Sequence, residues 1–379
     1  MLYLDHAATS PLRAEVRDAM LPYLSGVFGN PSSHHTVGEA AAEALEDART
    51  RIARRLGFRT GDIVFTGGGT EANNLAIKGI ALAALARGRR HVVVSPIEHE
   101  SVLEPADHLR RFHSIHVTRL PVDGVGRISA DDLRSTLRDD TSVVSIGHAN
   151  NEIGTVQDVE ALAAVAHEAG VPLHVDAVQS AGWLPLDGLG ADALTLAGHK
   201  IGAPKGIGVL AVRGRIPLEP LLHGGGQERG RRSGTENVAG AVALATALDL
   251  ASAEQDAVRA HVGSATARFM SRVLAAVPNA AITGDLHRRL PASASFTFAG
   301  VNGETVLLEL ERRGVVSSSG SACAADSGEP SHVLLACGID PDVATTAVRF
   351  TFGRDPLPPD APEQLAVMVA EAVRAASGA

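Results

Sequence analysis

The sequence predicts an α/β fold: a large domain built on a mostly parallel sheet, followed by a smaller α+β domain. Two observations lead to it. From about residue 36 to residue 212, short apolar runs alternate with helical patterns, the order of repeated strand-helix units. Beyond about residue 240 the pattern changes to an alanine-rich helical stretch reaching about residue 276, then to a mixed segment. The expected strands of the large sheet are seven, in order "IVFT" (63–66), "HVVVS" (91–95), "SIHVT" (114–118), "SVVSIG" (142–147), "PLHVDA" (172–177), "ALTLA" (193–197) and "GVLAV" (208–212). Helical patterns at 70–87, 100–111 and 158–169 lie between them, and strands near 293–298 and 347–352 belong to the later segment. The domain change is expected near 240, giving a large domain of residues 26–240 and a small one of 241–379. Residues 1–25 offer a short strand and one helix, too little to bury a core alone, and are expected to pack with the small domain.

Composition narrows the class. The chain has 379 residues, 45% of them hydrophobic, enough for a well-buried core. Its net charge of −9 and pI near 6.0 argue against direct nucleic-acid binding or an electrostatic hold on an anionic membrane. No run approaches the roughly 18 apolar residues of a membrane helix, so the expected location is cytoplasmic, with no membrane partner. Two cysteines, Cys323 and Cys337, make no disulfide framework and no metal-ligand spacing, so no metal is expected. Of 34 basic residues only Lys78, Lys200 and Lys205 are lysines. Arginine fills almost every other cationic position, yet it cannot serve as a nucleophilic amine.

In open sheets of this kind, ligands bind beyond the carboxyl ends of the strands, so those loops hold the candidates. "TGGGTEANN" (66–74) opens a helix through a glycine turn, with Gly69 and Thr70 at its start. Free N–H groups and the helix dipole suit it to a phosphate, although a plain tight turn uses the same residues. "HVDAVQS" (174–180) puts Asp176 at the end of an apolar run and Gln179 three residues on; the carboxylate serves as a helix cap or as the partner of a protonated ring nitrogen. His99 in "SPIEHES" and the asparagines of "HANNEIGT" (148–155) also follow strands, where capping and turns are their ordinary uses. "TLAGHKIGAPKGIGVL" (195–210) adds His199 and Lys200; Lys205, after a proline, reads as a turn or phosphate-side cation. Donors, an acid, a histidine and a lysine on successive strand-end loops fit pyridoxal phosphate catalysis, with Lys200 as the Schiff-base lysine. The acid would keep the pyridine nitrogen protonated.

At these residues the sequence resembles the cysteine desulfurases of the class V aminotransferase group, within the aspartate-aminotransferase-like fold. The resemblance runs nearly end to end, through "YLDHAAT" (3–9), "GNPSSHH" (29–35), "GGTEANNLAIKG" (68–79), "EHESV" (98–102), "NNEIGT" (150–155), "HVDAVQS", "GHKIGAPKGIG" (198–208), "GGGQERGRRSGT" (224–235), "SSSGSACA" (317–324), "EPSHVL" (329–334) and "VRFTFGR" (348–354). It implies that Lys200 carries the cofactor, His99 stacks on its ring, and Asp176 pairs with the ring nitrogen. Gln179 and Asn151 would meet the phenolic oxygen side, and Gly69, Thr70 and His199 the phosphate. Thr235 would cross to the phosphate of a second copy, which implies a homodimer with shared active sites. Arg349, Asn30 and Asn151 would hold the substrate carboxylate, a role suited to arginine's bidentate fork. One departure is Ala197, where many members have a serine.

The implied reaction turns L-cysteine into L-alanine and leaves the sulfur on the protein as a persulfide, with His99 moving protons near the thiols. Cys323 is the expected nucleophile, since "VVSSSGSACAADSGEPSHVL" surrounds it with small residues, as in a mobile loop, whereas Cys337 in "VLLACGID" has the apolar neighbours of a structural cysteine. The persulfide would pass to a sulfur-acceptor protein, an iron-sulfur scaffold or a thiolation partner. A selenocysteine lyase, a sulfur donor for DNA phosphorothioation, an aminotransferase and a scaffold without catalysis are the alternatives; the last two leave Cys323 or Lys200 without a task.

Overall fold

In the computed structural model, residues 1–320 and 329–378 are described. Its strands are β1 (Leu2–Tyr3), β2 (Ile63–Thr66), β3 (His91–Val94), β4 (His116–Arg119), β5 (Thr141–Gly147), β6 (Leu173–Asp176), β7 (Ala193–Ala197), β8 (Gly208–Val212), β9 (Ala280–Ile282), β10 (Ser293–Phe298), β11 (Val315–Val316) and β12 (Val348–Thr351). The seven expected runs form one seven-stranded sheet in the order β2-β8-β7-β6-β5-β3-β4. β3 to β7 pair in parallel, and β8 runs antiparallel to both β7 and β2.

Both faces of this sheet are covered, which is why its central strands read as continuous apolar runs. Side chains alternate between two clusters: Val93, Val144 and Ile146 face one, Val92, Val94 and Val143 the other. β4 is the edge strand, and its HVTR sequence is correspondingly polar and only partly covered. A glycine contact joins the second edge to the site: a Cβ on Gly208 would lie 2.5 Å from the carbonyl carbon of Gly68. The turn after β2 can therefore lie directly on β8.

A further cluster lies under the antiparallel sheet β12-β10-β9, where Phe269 packs edge-on against Phe296, Phe350 and Phe352. The alanine-rich stretch is two helices, Val238–Ala253 and Gln255–Ala276. The first gives Ala241 to Ala245, Ala247 and Leu248 to the large core, packed on the helices Thr36–Leu56 and Ala14–Met20, and the second gives Val258, Phe269 and Val273 to the small core. We therefore propose Glu254 as the boundary between domains, later than the expected position near 240. The N-terminal segment is shared: β1 pairs with β11 and Leu4 joins the small core, whereas Val16 joins the large one. No helix among the described residues is long and apolar enough to cross a membrane.

Candidate active site

The carboxyl ends of β2, β3, β5, β6 and β7 open into one cleft, and Thr70, His99, Asn151, Asp176, Gln179 and Lys200 line it. Gly69 and His199 do so as well. Eight residues expected at the cofactor thus come together from distant points of the chain.

At one end stands the helix Gly69–Ala84, whose first N–H groups have no partner within the helix. A Cβ on Gly69 would sit 3.0 Å from Val178 Cγ2 and 3.2 Å from Ala197 Cβ, so this cradle closes if a side chain is added. Gly67 N–H donates to Glu71 at 2.7 Å, and Arg232 Nε donates to the same carboxylate at 2.8 Å. His199 lies near, its Nδ1 3.2 Å from Thr9 Oγ1. Burial, helped by the charges of Lys200 and Lys205, pushes its pKa down to about 4, so the ring is neutral at pH 7.

Asp176 ends β6 with both oxygens held: Oδ1 accepts from Val178 N–H at 2.9 Å and Oδ2 from Asn73 Nδ2 at 2.7 Å. His99 caps the helix Glu100–His113, its Nδ1 accepting the N–H of Ser101 at 3.0 Å. Lys200 closes the turn Gly198–Lys200 after β7, and its Nζ donates to the carbonyls of Ala7 and Ala8. Gln179 Nε2 donates to the same Ala7 carbonyl at 3.0 Å. The "YLDHAAT" segment therefore forms the wall that positions the lysine. Both asparagines line the cleft, and Asn150 also makes the turn, its Oδ1 accepting from the N–H groups of Glu152 and Ile153.

Three expected residues stand elsewhere in the single chain. Thr235 is exposed outside the cleft, and Asn30 is exposed, with its Oδ1 accepting from Ser32 N–H. Arg349 on β12 is 2% exposed and lies behind Asn151, donating to the Asn151 carbonyl at 2.9 Å, to Gly320 O at 3.1 Å and to Asp5 Oδ1 at 2.6 Å. Cys323 lies outside the described residues. Cys337 is buried, and burial, with Asp123 and Glu152 near it, pushes its thiol up to about 11, which keeps it protonated.

Among the cleft residues that the sequence did not assign to the site are Asn73, Ser101 and Glu98. Asn73 follows Thr70 by one helical turn, a spacing that would have placed it on the same face. Glu98 gives no such signal, since its polar neighbours suggest exposure, yet it is 5% exposed.

The groups that converge here answer to the parts of one cofactor: N–H donors for a phosphate, an anion for a protonated ring nitrogen, an imidazole beside the ring and an amine for the carbonyl carbon. That donor set fits pyridoxal phosphate, and with this sheet it defines a pyridoxal-phosphate-dependent enzyme of the aspartate-aminotransferase-like fold. A family model described as aminotransferase class-V matches residues 2–356, and the chain belongs to that family. It is 43% identical over 354 residues to cysteine desulfurase IscS of Dictyoglomus turgidum, covering 93% of this chain and 89% of the relative. Among solved structures, a NifS-like protein superposes with a TM-score of 0.90 at 32% identity, covering 98% of both chains. SspA in complex with cysteine superposes with a TM-score of 0.82 at 36% identity, covering 94% of this chain and all of that one.

Proposed function

We propose that this chain is a cysteine desulfurase that turns L-cysteine into L-alanine and transfers the sulfur to Cys323. The observation that carries the reading is the assembly of Lys200, Asp176 and His99 in one cleft of a class-V chain. The bound cofactor supplies an electron sink for the substrate carbon next to its amine. Around it, Asp176 is held by two donors and offers its carboxylate to the ring nitrogen. The amine of Lys200, aimed by two backbone carbonyls, takes and returns the substrate's α proton. The Cys323 thiolate attacks the substrate sulfur; an S–S bond forms, the C–S bond breaks, and the carbon skeleton keeps the electron pair and gains a proton. The net change is cysteine plus enzyme thiol to alanine plus enzyme persulfide, balanced without an external oxidant.

The reading extends to a cytoplasmic homodimer that passes its persulfide sulfur to an acceptor protein, an iron-sulfur scaffold or a thiolation partner. Thr235 supports the dimer, since it is exposed on a loop tied down from below and stands outside the cleft that Lys200 lines. The tie is Glu228, buried, whose carboxylate accepts from Arg49 at 2.7 and 2.8 Å and from Phe65 N–H at 3.0 Å. Arg349, which the reading assigns to the substrate carboxylate with Asn30 and Asn151, would exchange its contact with Asp5 for the substrate.

Three variants test the reading. Lys200→Ala should lose both the visible absorption of the cofactor-loaded enzyme and all alanine formation. Cys323→Ser should keep the visible band and lose sulfur release, and Cys337→Ala should keep both. Wild-type sulfur release by Cys323→Ser would overturn the assignment of the nucleophile.

A further inference from the structure

We infer that Asn73 and Ser101 are positioning residues that connect Asp176 to His99, fixing the carboxylate and holding the proton of the neutral imidazole on Nε2, toward the cleft. The roles of Asp176 and His99 in this inference rest on the proposed function; the hydrogen-bond chain does not.

The argument starts from Asn73, which is 1% exposed on the inner face of the helix Gly69–Ala84. Its amide has two hydrogens and spends one on each neighbour: Nδ2 lies 2.7 Å from Asp176 Oδ2 and 2.9 Å from Ser101 Oγ. The opposite amide orientation would set a carbonyl oxygen against a carboxylate. The chosen orientation has its own cost, because Asn73 Oδ1 is buried with no hydrogen-bond partner among the described residues. An asparagine that leaves its oxygen unsatisfied in order to point both hydrogens is being held by its two acceptors.

Ser101 continues the chain. Its Oγ already accepts from Asn73, and 2.9 Å away on its other side is His99 Nδ1, to which its hydroxyl hydrogen is directed. The backbone N–H of Ser101 points at the same nitrogen, at 3.0 Å. Nδ1 therefore faces two donors and must present its lone pair, which leaves the ring proton on Nε2. Donation runs outward from Asn73 in both directions, so a change at Asn73 reaches the imidazole without touching it.

The test uses the full chain with labelled histidine, first without cofactor, and reads the ring-nitrogen resonances of His99 by NMR. The wild type should show a bare Nδ1 and a protonated Nε2. Ser101→Ala should move the Nδ1 resonance, Ser101→Thr should restore it, and Asn73→Ala should move it although Asn73 does not contact the ring. In the cofactor-loaded enzyme Ser101→Ala should lower kcat about ten-fold with little change in KM, and the double variant should lose no more than the worse single one. A ring protonated on Nδ1 in the wild type, or Ser101→Ala and Ser101→Thr behaving alike, would overturn the inference. The Ser101 pair decides it alone if Asn73→Ala does not fold. A wild type that shows the expected tautomer but binds no pyridoxal phosphate would instead count against the proposed function.

Discussion

Glu98 occupies a place where a carboxylate charge is costly. It is buried in the cleft wall next to Asp176, and burial first, then the Asp176 charge, pushes its pKa from 4.5 up to about 8, against hydrogen bonds from Gly147 and Ser95. Glu98 is therefore a mostly neutral acid at pH 7. Because the folded value lies above the unfolded one, the contribution of Glu98 to stability is fully present below about pH 4.5 and is lost as pH rises through about 8. Glu98→Gln, which cannot ionise, should melt at a higher temperature than the wild type near pH 9, with the gap closing towards pH 4.5 in thermal scans of the cofactor-free protein. A gap independent of pH would show that Glu98 is not neutralised by its site. Residues of this kind are the least legible in a sequence. His99, Asp176 and Lys200 could be found because each lies at the end of an apolar strand run or in the loop that follows it. Glu98 and Ser101 are buried by other elements, and no local pattern records that contact, whereas Asn73 carries only its helical spacing from Thr70.

Among elements, the large sheet was the most legible, because its strands are covered on both faces and carry a nearly continuous apolar signal. The expected and observed strands differ by a residue or two, most at the polar edge strand β4. The short strands β9 and β11 went unread, and β1 was read only as a short strand somewhere in residues 1–25; two or three residues carry no period, and their pairing is set by the partner strand. The helical stretch to 276 read as continuous because Glu254, where it divides, is an ordinary helix former. The sheet also carries a polar cross-link: His174 on β6 reaches Ser145 Oγ on β5 at 2.8 Å and Thr195 Oγ1 on β7 at 2.9 Å. Burial pushes its pKa down to about 3, so it is folded as a neutral ring. His91 and His148 are pushed down to about 4 for the same first reason. Lowered folded values mean stability that is present above about pH 6.5 and lost as pH falls towards them. Unfolding free energy should therefore decline below pH 6.5, and His174→Gln should make that decline shallower by about 1.4 kcal/mol per pH unit. An unchanged slope in denaturant titrations at pH 6, 5 and 4.5 would contradict the neutral assignment.

For the whole molecule, the fold gathers loops from both halves of the large sheet and the N-terminal segment around Lys200, and it leaves Thr235 facing outward. Lys200 and its neighbours identify the cofactor, and the thiol identifies the reaction. That division was readable in the sequence: one lysine where arginine could not serve, and one cysteine among small residues. The positions of Asn30, Thr235 and Arg349 were not, since the roles proposed for them call for a second copy of the chain or for bound substrate. The most direct measurement incubates the cofactor-loaded wild type with L-cysteine, blocks thiols by alkylation, and locates added sulfur by peptide mass spectrometry. The account predicts one extra sulfur on the peptide that contains Cys323, alanine in equal amount, and none on the peptide that contains Cys337. Extra sulfur on Cys337, or alanine formed with Cys323 unmodified throughout the reaction, would contradict it.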